Sequence, residues 1–408
     1  MNISLTSKAM QHTPIEVKPP VLKVLGLGGG GSNAVNRMIE LGLGGVEYIA
    51  ANTDAQALKS SMAPTRIQLG ARLTRGLGAG GKPQIGEAAA EESYRDLNAA
   101  LAGADMVFLT AGMGGGTGTG SISIAARVAR ALGAVTVAIV TTPFSFEVGR
   151  RQQNARDGLA RLRPYIDTLV TVPNDRLLQV APKDLPLEMA FRLADDVLRQ
   201  GIQGITELIT QPGLINVDFA HVRAMMQSGG GSLLSIGQGH GANKALQAIE
   251  RALHHPLLDS ICMDNATGII ANFTGGPDLT FLEVAEALTY LQEKTNNRAE
   301  IIPGVITDDR MENRAQVILI ITGLGATPVD AAPVMRTVQQ PAAIPVTAPE
   351  PAPRSYAAPS ATRTSTPPAA GFPSQPLASA PETPPARAEM KSAAVDLDLP
   401  AFMRRRVR

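Results

Sequence analysis

The chain of 408 residues contains no tryptophan, one cysteine and 3% aromatic residues. A single thiol, Cys262, closes no internal disulfide, which suits a reducing cytosol. Scarce aromatics argue against a stacking platform for single-stranded nucleic acid. The 37 basic and 36 acidic side chains leave a net charge of +1, so no global field favours nucleic acid or a membrane surface. No apolar run reaches the roughly 18 residues that a membrane helix needs, and the opening MNISLTSKAMQHTPIEVKPP lacks the apolar core of a signal peptide. The expectation is a protein with no nucleic-acid partner and no direct membrane insertion.

What the sequence has is 44% hydrophobic residues in short runs that alternate with helical patterns. VLKVLGLG, VEYIAANT, DMVFLTAG, VTVAIVTTPF and DTLVTVPN read as strands, while SNAVNRMIELG and SISIAARVARALG read as helices. Such alternation predicts a parallel, doubly wound α/β sheet. From 187 to 210, Phe191, Ala194, Leu198, Ile202, Ile205 and Ile209 recur at helical spacing. One helix of that length spans about 36 Å and makes a spine between two domains. Beyond it, HVRAMMQS (221–228), 241–254 and 280–293 read as helices, and SLLSIGQG, TGIIANFTG and QVILIITGLG as strands, forming a second α/β unit. Half of the 30 prolines then fall between Pro328 and Pro385, among Ala, Ser and Thr. That composition cannot bury enough apolar surface to fold. The predicted boundaries are an arm at 1–20, a first domain at 21–186, the helix at 187–210, a second domain at 211–327, a disordered linker at 328–392 and a tail peptide at 393–408.

Two glycine-rich segments carry chemistry. GLGGGGSNAVNRM (26–38) and GMGGGTGTGS (112–121) each lie between a strand and a helix. Backbone N–H groups at a helix N-terminus bind anions, and glycine admits a phosphate closely. Gly26, Gly28 and Gly31 also match the dinucleotide fingerprint, so a nucleotide-linked oxidoreductase is an alternative. Two phosphate loops, the second with Thr117 and Thr119 hydroxyls, suit a triphosphate better than a pyrophosphate. A third stretch, GLGAGGKPQIG, places Gly76, Gly81 and Lys82 as in a P-loop, but Pro83 stands where a Mg²⁺-holding hydroxyl belongs. It reads as a glycine-rich surface loop able to close over phosphate.

GLGGGGSNAVNRM, NTDAQAL, TRGLGAGGKP, GMGGGTGTGS, TTPFSFEVGRR, PNDRLL, FRLADDVLRQGIQGI and PGLINVDFAHV follow one another. Over about residues 21–325 this order resembles the FtsZ family of bacterial tubulin homologues, within the tubulin/FtsZ superfamily. The final DLPAFMRRR is similar to the family's C-terminal peptide. The resemblance implies a tubulin-like fold with a Rossmann-type GTP-binding domain at 21–186, and a polymerisation domain at 211–327. It implies a cytoplasmic GTPase of the mid-cell division ring that builds head-to-tail homopolymers. GTP and Mg²⁺ are the implied cofactors, with no protein residue assigned to the metal. A membrane anchor and division regulators are the implied partners of the tail.

Carried over residue by residue, the resemblance puts Gly28, Gly29, Gly30 and Asn33 in the first phosphate loop and Gly114, Gly115, Gly116 and Thr117 in the second. Ala79 and Gly80 would approach the terminal phosphate. Glu147 and Arg151 would contact the ribose, Asn174 the guanine, Phe191 would stack on the base, and Asp195 would accept from its N1 and N2 hydrogens. Each has a plainer alternative. Phe191 reads equally as helix core, Asp195 as a solvated charge beside Asp196, and Glu147–Arg151 as a surface ion pair four residues apart.

Asn216, Asp218 and His221 in GLINVDFAHV match the loop that reaches a neighbour's GTP in the family. The family pattern is Asn-x-Asp-x-x-Asp, so His221 stands where a carboxylate is implied. Neutral imidazole has no negative charge with which to orient a water near Mg²⁺, which predicts slower or pH-sensitive hydrolysis. A metal-ligand reading of this trio is incomplete, and a strand-to-helix turn is the plainer one. Asn243 and Lys244 replace an acidic-basic pair of the family. An FtsZ-like paralogue with little hydrolysis is therefore the second reading.

Overall fold

The structure is a computed structural model. It describes residues 19–147, 149–179, 181–182, 184–211, 213–215, 217–227, 231–258 and 265–324. The expected linker and tail peptide, most of the N-terminal arm, Asn216 and Cys262 lie outside these residues.

Strands and helices alternate through the first half. They run β1 (Leu22–Leu27), α1 (Gly28–Glu40), β2 (Glu47–Asn52), α2 (Ala55–Lys59), β3 (Thr65–Gln68), α3 (Ala71–Thr74), α4 (Pro83–Glu92), α5 (Tyr94–Leu101), β4 (Met106–Gly112), α6 (Thr117–Ala131), β5 (Val135–Thr142), α7 (Arg150–Leu162), β6 (Thr168–Pro173) and α8 (Asn174–Leu178). The second half holds α9 (Leu187–Thr210), α10 (Phe219–Gln227), β7 (Gly231–His240), α11 (Lys244–Leu253), β8 (Gly268–Gly275), α12 (Phe281–Lys294), β9 (Glu300–Thr307) and β10 (Arg314–Thr322).

The strands form one sheet in the order β3-β2-β1-β4-β5-β6-β7-β10-β8-β9. Pairing is parallel from β3 to β7 and between β8 and β9, while β10 runs antiparallel to β7 and β8. Strands β1, β4 and β5 are apolar and buried almost throughout, as a parallel sheet covered on both faces requires. The halves meet at β6 and β7, where two residue pairs align, Leu169 with Gly231 and Val170 with Ser232.

Helix α9 crosses that junction. Its Gly201 faces Leu234 and Ile139, and a Cβ on Gly204 would lie 2.9 Å from Ile318. Leu198, Ile202 and Ile205 are buried, as their spacing predicts. Phe191 is 40% exposed and does not belong to that core.

In the order 3-2-1-4-5-6 the direction in which successive strands are added reverses between β1 and β4. Crevices at such a switch point, beyond the carboxyl ends of the strands, take ligands in open α/β sheets. The helices after these two strands begin one turn earlier than their apolar patterns suggest. Gly28–Gly31 and Thr117–Ser121, read from sequence as loop, are the first turns of α1 and α6. Glycine patterns carry no apolar period, so only the packing reveals the helix. HVRAMMQS likewise begins at Phe219, behind Asp218.

Candidate functional site

The reason for the glycines is visible at the β1–α1 turn. A Cβ on Gly31 would lie 2.3 Å from the carbonyl oxygen of Thr110 on β4, and one on Gly26 would lie 2.3 Å from that of Gly31. Helix and strands therefore touch backbone to backbone. Gly28, at φ +69°, makes the turn itself and packs against Gly118. At Gly29 and Gly115 a Cβ would meet nothing within 4 Å. Those two residues border open space at the mouth of the crevice, where the first amides of α1 and α6 are unpaired by helix geometry.

The second loop is held from three directions. Gly114 abuts Pro143 and the backbone of Arg151. Asn154 donates to the carbonyls of Gly81, at 3.3 Å, and Gly114, at 3.2 Å. The hydroxyls of Thr53 and Thr117 lie 2.5 Å apart. Ala79 is buried with its side chain toward Gly116, so it shapes the cradle from behind, while Gly80 is exposed. Asn154 and Thr53 were not singled out from the sequence. An asparagine inside the polar run RRQQNARD and a threonine after a strand give no pattern to read.

Beside this cradle, α1 and the first turns of α9 bound a cleft of about 500 Å³. Asn33 and Arg37 line it from α1, and Phe191, Arg192 and Asp195 from α9. Phe191 meets Phe144 edge to face at 5.4 Å, and Phe144 stacks on Phe146 at 5.0 Å. A half-exposed ring held on edge by another aromatic offers a flat surface to a planar ligand. Asp195 and Asp196 have opposite fates. Asp196 is buried and accepts from Arg199 at 2.8 Å and Gln200 at 2.6 Å. Asp195 faces the cleft, and desolvation pushes its carboxyl up to about 7 against the pull of Arg37. It is thus not a freely solvated helix charge.

Glu147 accepts from the amide of Phe144 at 2.9 Å and is ion-paired with Arg151. The plainer alternative for this pair therefore describes the chain as it stands, although both residues sit on the segment packed against Gly114. Asn174 opens α8 at the end of β6; it is 5% exposed, and its Oδ1 has no partner among the described residues. An acceptor left buried and unsatisfied costs stability unless a ligand meets it.

Of the trio in GLINVDFAHV, Asp218 and His221 lie elsewhere. Asp218 accepts from the amide of Ala220 at 3.1 Å and so opens α10, where His221 is exposed in the first turn. Leu214 is tied to Val305 of β9 by a 2.9 Å backbone bond. From Phe191 to Thr210 the axis of α9 covers roughly 29 Å. Thr210 meets Gly45, in the turn just before β2, where a Cβ would lie 2.8 Å from its hydroxyl oxygen. The cradle and cleft thus occupy the carboxyl edge of the parallel strands, and α9 delivers the Asp218–His221 loop to the opposite edge. Asn33, Phe191 and Asp195 come together; Asp218 and His221 do not join them within one copy.

Among the described residues no three or more His, Cys, Asp or Glu side chains gather as a metal-ligand set. No described helix is long and apolar enough to cross a membrane.

A profile for the Tubulin/FtsZ family GTPase domain matches residues 21–182, and one for the FtsZ family C-terminal domain matches residues 230–325. Among solved structures, an empty FtsZ dimer from M. jannaschii is 44% identical, with a TM-score of 0.72, over 75% of this chain and 89% of that one. The GTPγS-bound protofilament of CetZ2 from Haloferax volcanii is 19% identical, with a TM-score of 0.63, over 74% of this chain and 93% of that one. The second likeness is one of fold.

Proposed function

The chain belongs to the tubulin/FtsZ family, and from that premise we propose that it is an assembly-dependent GTPase whose active site is shared between two copies. Membership sets aside the oxidoreductase alternative. In this reading the phosphates lie over the first turns of α1 and α6, and guanine enters the cleft between Phe191 and Asp195. A carboxylate accepts from the paired donors of a guanine edge, which an adenine edge lacks. The buried, unpaired Oδ1 of Asn174 fits a polar ligand group there. Mg²⁺ would arrive held by phosphate oxygens and water, as this cation commonly is.

The separation between cleft and loop carries the proposal. Because α9 places Asp218 and His221 at the edge opposite the cradle, they meet a nucleotide only on another copy. Contact between unlike surfaces does not close on itself, so it propagates as a filament. The dimer and protofilament among the related structures support self-association. In the filament Asp218 would orient the attacking water, with His221 beside it. The division ring is the proposed setting, with residues 393–408 as the tether to a membrane anchor.

The test is GTP-dependent light scattering with phosphate release in the same tube. Turnover per subunit is expected to rise with protein concentration, because only contacts complete the site. Asp218→Ala should remove most hydrolysis and lengthen filament lifetime. His221→Asp should raise turnover, with monomer affinity for GTP unchanged. A turnover independent of concentration would sink the shared site. Vigorous assembly with almost no phosphate release would favour the paralogue reading, which His221 and Asn243 motivate.

A further inference from the structure

We propose that the first turns of α7 form a clasp that keeps the nucleotide site in its binding shape before any nucleotide arrives, with Asn154 and Gln152 as its two positioning residues. This rests on the reading of the cradle as a GTP site. It concerns what holds that site together, not which group of the nucleotide is recognised.

In the run RRQQNARD, two of the three carboxamides each bridge a pair of backbone carbonyls. The Asn154 Nδ2 donates to Gly81 at 3.3 Å and to Gly114 at 3.2 Å. The Gln152 Nε2 donates to Pro143 and to Phe144, each at 3.1 Å. A carboxamide nitrogen carries two N–H groups, so one side chain can serve two acceptors. Gln153 instead bonds Asp157 of its own helix at 2.8 Å. Three separate segments, 76–82, 112–116 and 143–147, are thus fastened to one helix.

The first segment needs such a fastening. Gly76, Gly78, Gly80 and Gly81 all have φ between +57° and +84°, and a chain so rich in glycine has much freedom to lose. Among the described residues, Asn154 supplies the one hydrogen bond that reaches residues 79–81 from outside this loop. In the second segment the amide of Gly114 is taken by Thr119 at 2.8 Å, and its carbonyl is left to Asn154. The helix that carries the clasp is firmly seated. Ala155, Leu159 and Leu162 are buried, and a Cβ on Gly158 would lie 2.4 Å from the Thr119 methyl group of α6. Positioning groups on a packed helix hold their partners more closely than groups on loops do. The cost of ordering the segments then falls on folding rather than on binding.

The test combines amide hydrogen exchange in the nucleotide-free full chain with GTP and GDP affinity, measured in EDTA below the concentration at which it assembles. Asn154→Ala should speed exchange about tenfold at the bonded amides of Gly78, Lys82 and Gly114, the size of two neutral hydrogen bonds, and leave Phe144 and Ser145 as in the parent. Gln152→Ala should do the reverse. Each variant should bind both nucleotides about five- to tenfold more weakly, by one factor for GTP and GDP, because every ligand must then order the released segment. Asn154→Asp, which sets an acceptor against two carbonyls, should exceed Asn154→Ala in both readouts. Alanine is the better helix former, so the midpoint of denaturant unfolding should not fall. Exchange that is unchanged, or faster throughout the chain, would overturn the proposal, and so would unchanged affinity. A loss confined to GTP would overturn it too, because that marks a contact with the ligand and not the shape of the site. A parent that binds neither nucleotide would overturn the GTP-site reading, and the clasp's part in binding with it.

Discussion

Asp195 shows how one side chain can couple nucleotide affinity to pH. Its carboxyl is pushed up to about 7 by burial in the cleft. In the proposed complex guanine's donors pair with the ionised form, so binding would release the proton wherever the free chain holds it. GTP should therefore bind about tenfold more weakly at pH 6 than at pH 8, with Asp195→Asn flat over that range. Titration calorimetry in buffers of different ionisation enthalpy reads both the affinity and the released proton. The sign for stability is opposite. A pKa above its unfolded value means that the folded chain holds the proton more tightly, so this contribution is full below about pH 4 and lost as pH rises toward 7. Thermal unfolding of the nucleotide-free protein should show that loss in the parent and not in Asp195→Asn.

The glycines divide by the same kind of reasoning. Gly29→Ala meets open space and should fold normally, yet weaken GTP by roughly tenfold, because the methyl group stands where phosphate would approach. Gly31→Ala drives a methyl group into the Thr110 carbonyl and should cost about 1–3 kcal/mol of stability, read by denaturant unfolding. In the sequence both are members of GLGGGG, and neither shows what its missing side chain admits. The glycine pattern discloses that something must come close; only the fold says whether that is phosphate or strand.

At the scale of elements, legibility followed apolar period and punctuation. The bounds of α9 were readable because Pro186 precedes a long 3–4 spacing and Pro212-Gly213 follows it. Helix α7 escaped because RRQQNARDGLARL buries only Ala155, Gly158, Leu159 and Leu162. Strand β9 escaped because Pro303 interrupts it, which an edge strand tolerates. The trio after α9 was legible as a motif, but its distance from the cleft depends on where a straight helix points. That approach of α9 to the sheet also yields a prediction. Gly204→Val places a methyl group against Ile318 of β10, and should cost about 1–3 kcal/mol in guanidinium unfolding while leaving the distant nucleotide cleft intact.

For the whole molecule, a site divided between copies predicts complementation. One variant with a damaged cradle, Gly115→Val, and one with a damaged loop, Asp218→Ala, should each hydrolyse little GTP. Mixed in equal amounts, they should recover up to about a quarter of the parent's turnover, since that share of random junctions joins two intact halves. Turnover no greater than the sum of the separate variants would refute the shared arrangement.

The junction between β6 and β7 has a bearing on how the molecule carries load. The neighbouring strands β4 and β5 align from Met106 to Gly112, and β7 and β10 over most of their length, whereas this junction aligns two residue pairs. A tensile force spread across the sheet would concentrate on those two rungs, with α9 as the strut that bears the rest. Within a bent or stretched polymer, the fold would give way first along this seam. Each flanking half would keep its own packing, so mechanical deformation would register as a pivot rather than as unravelling.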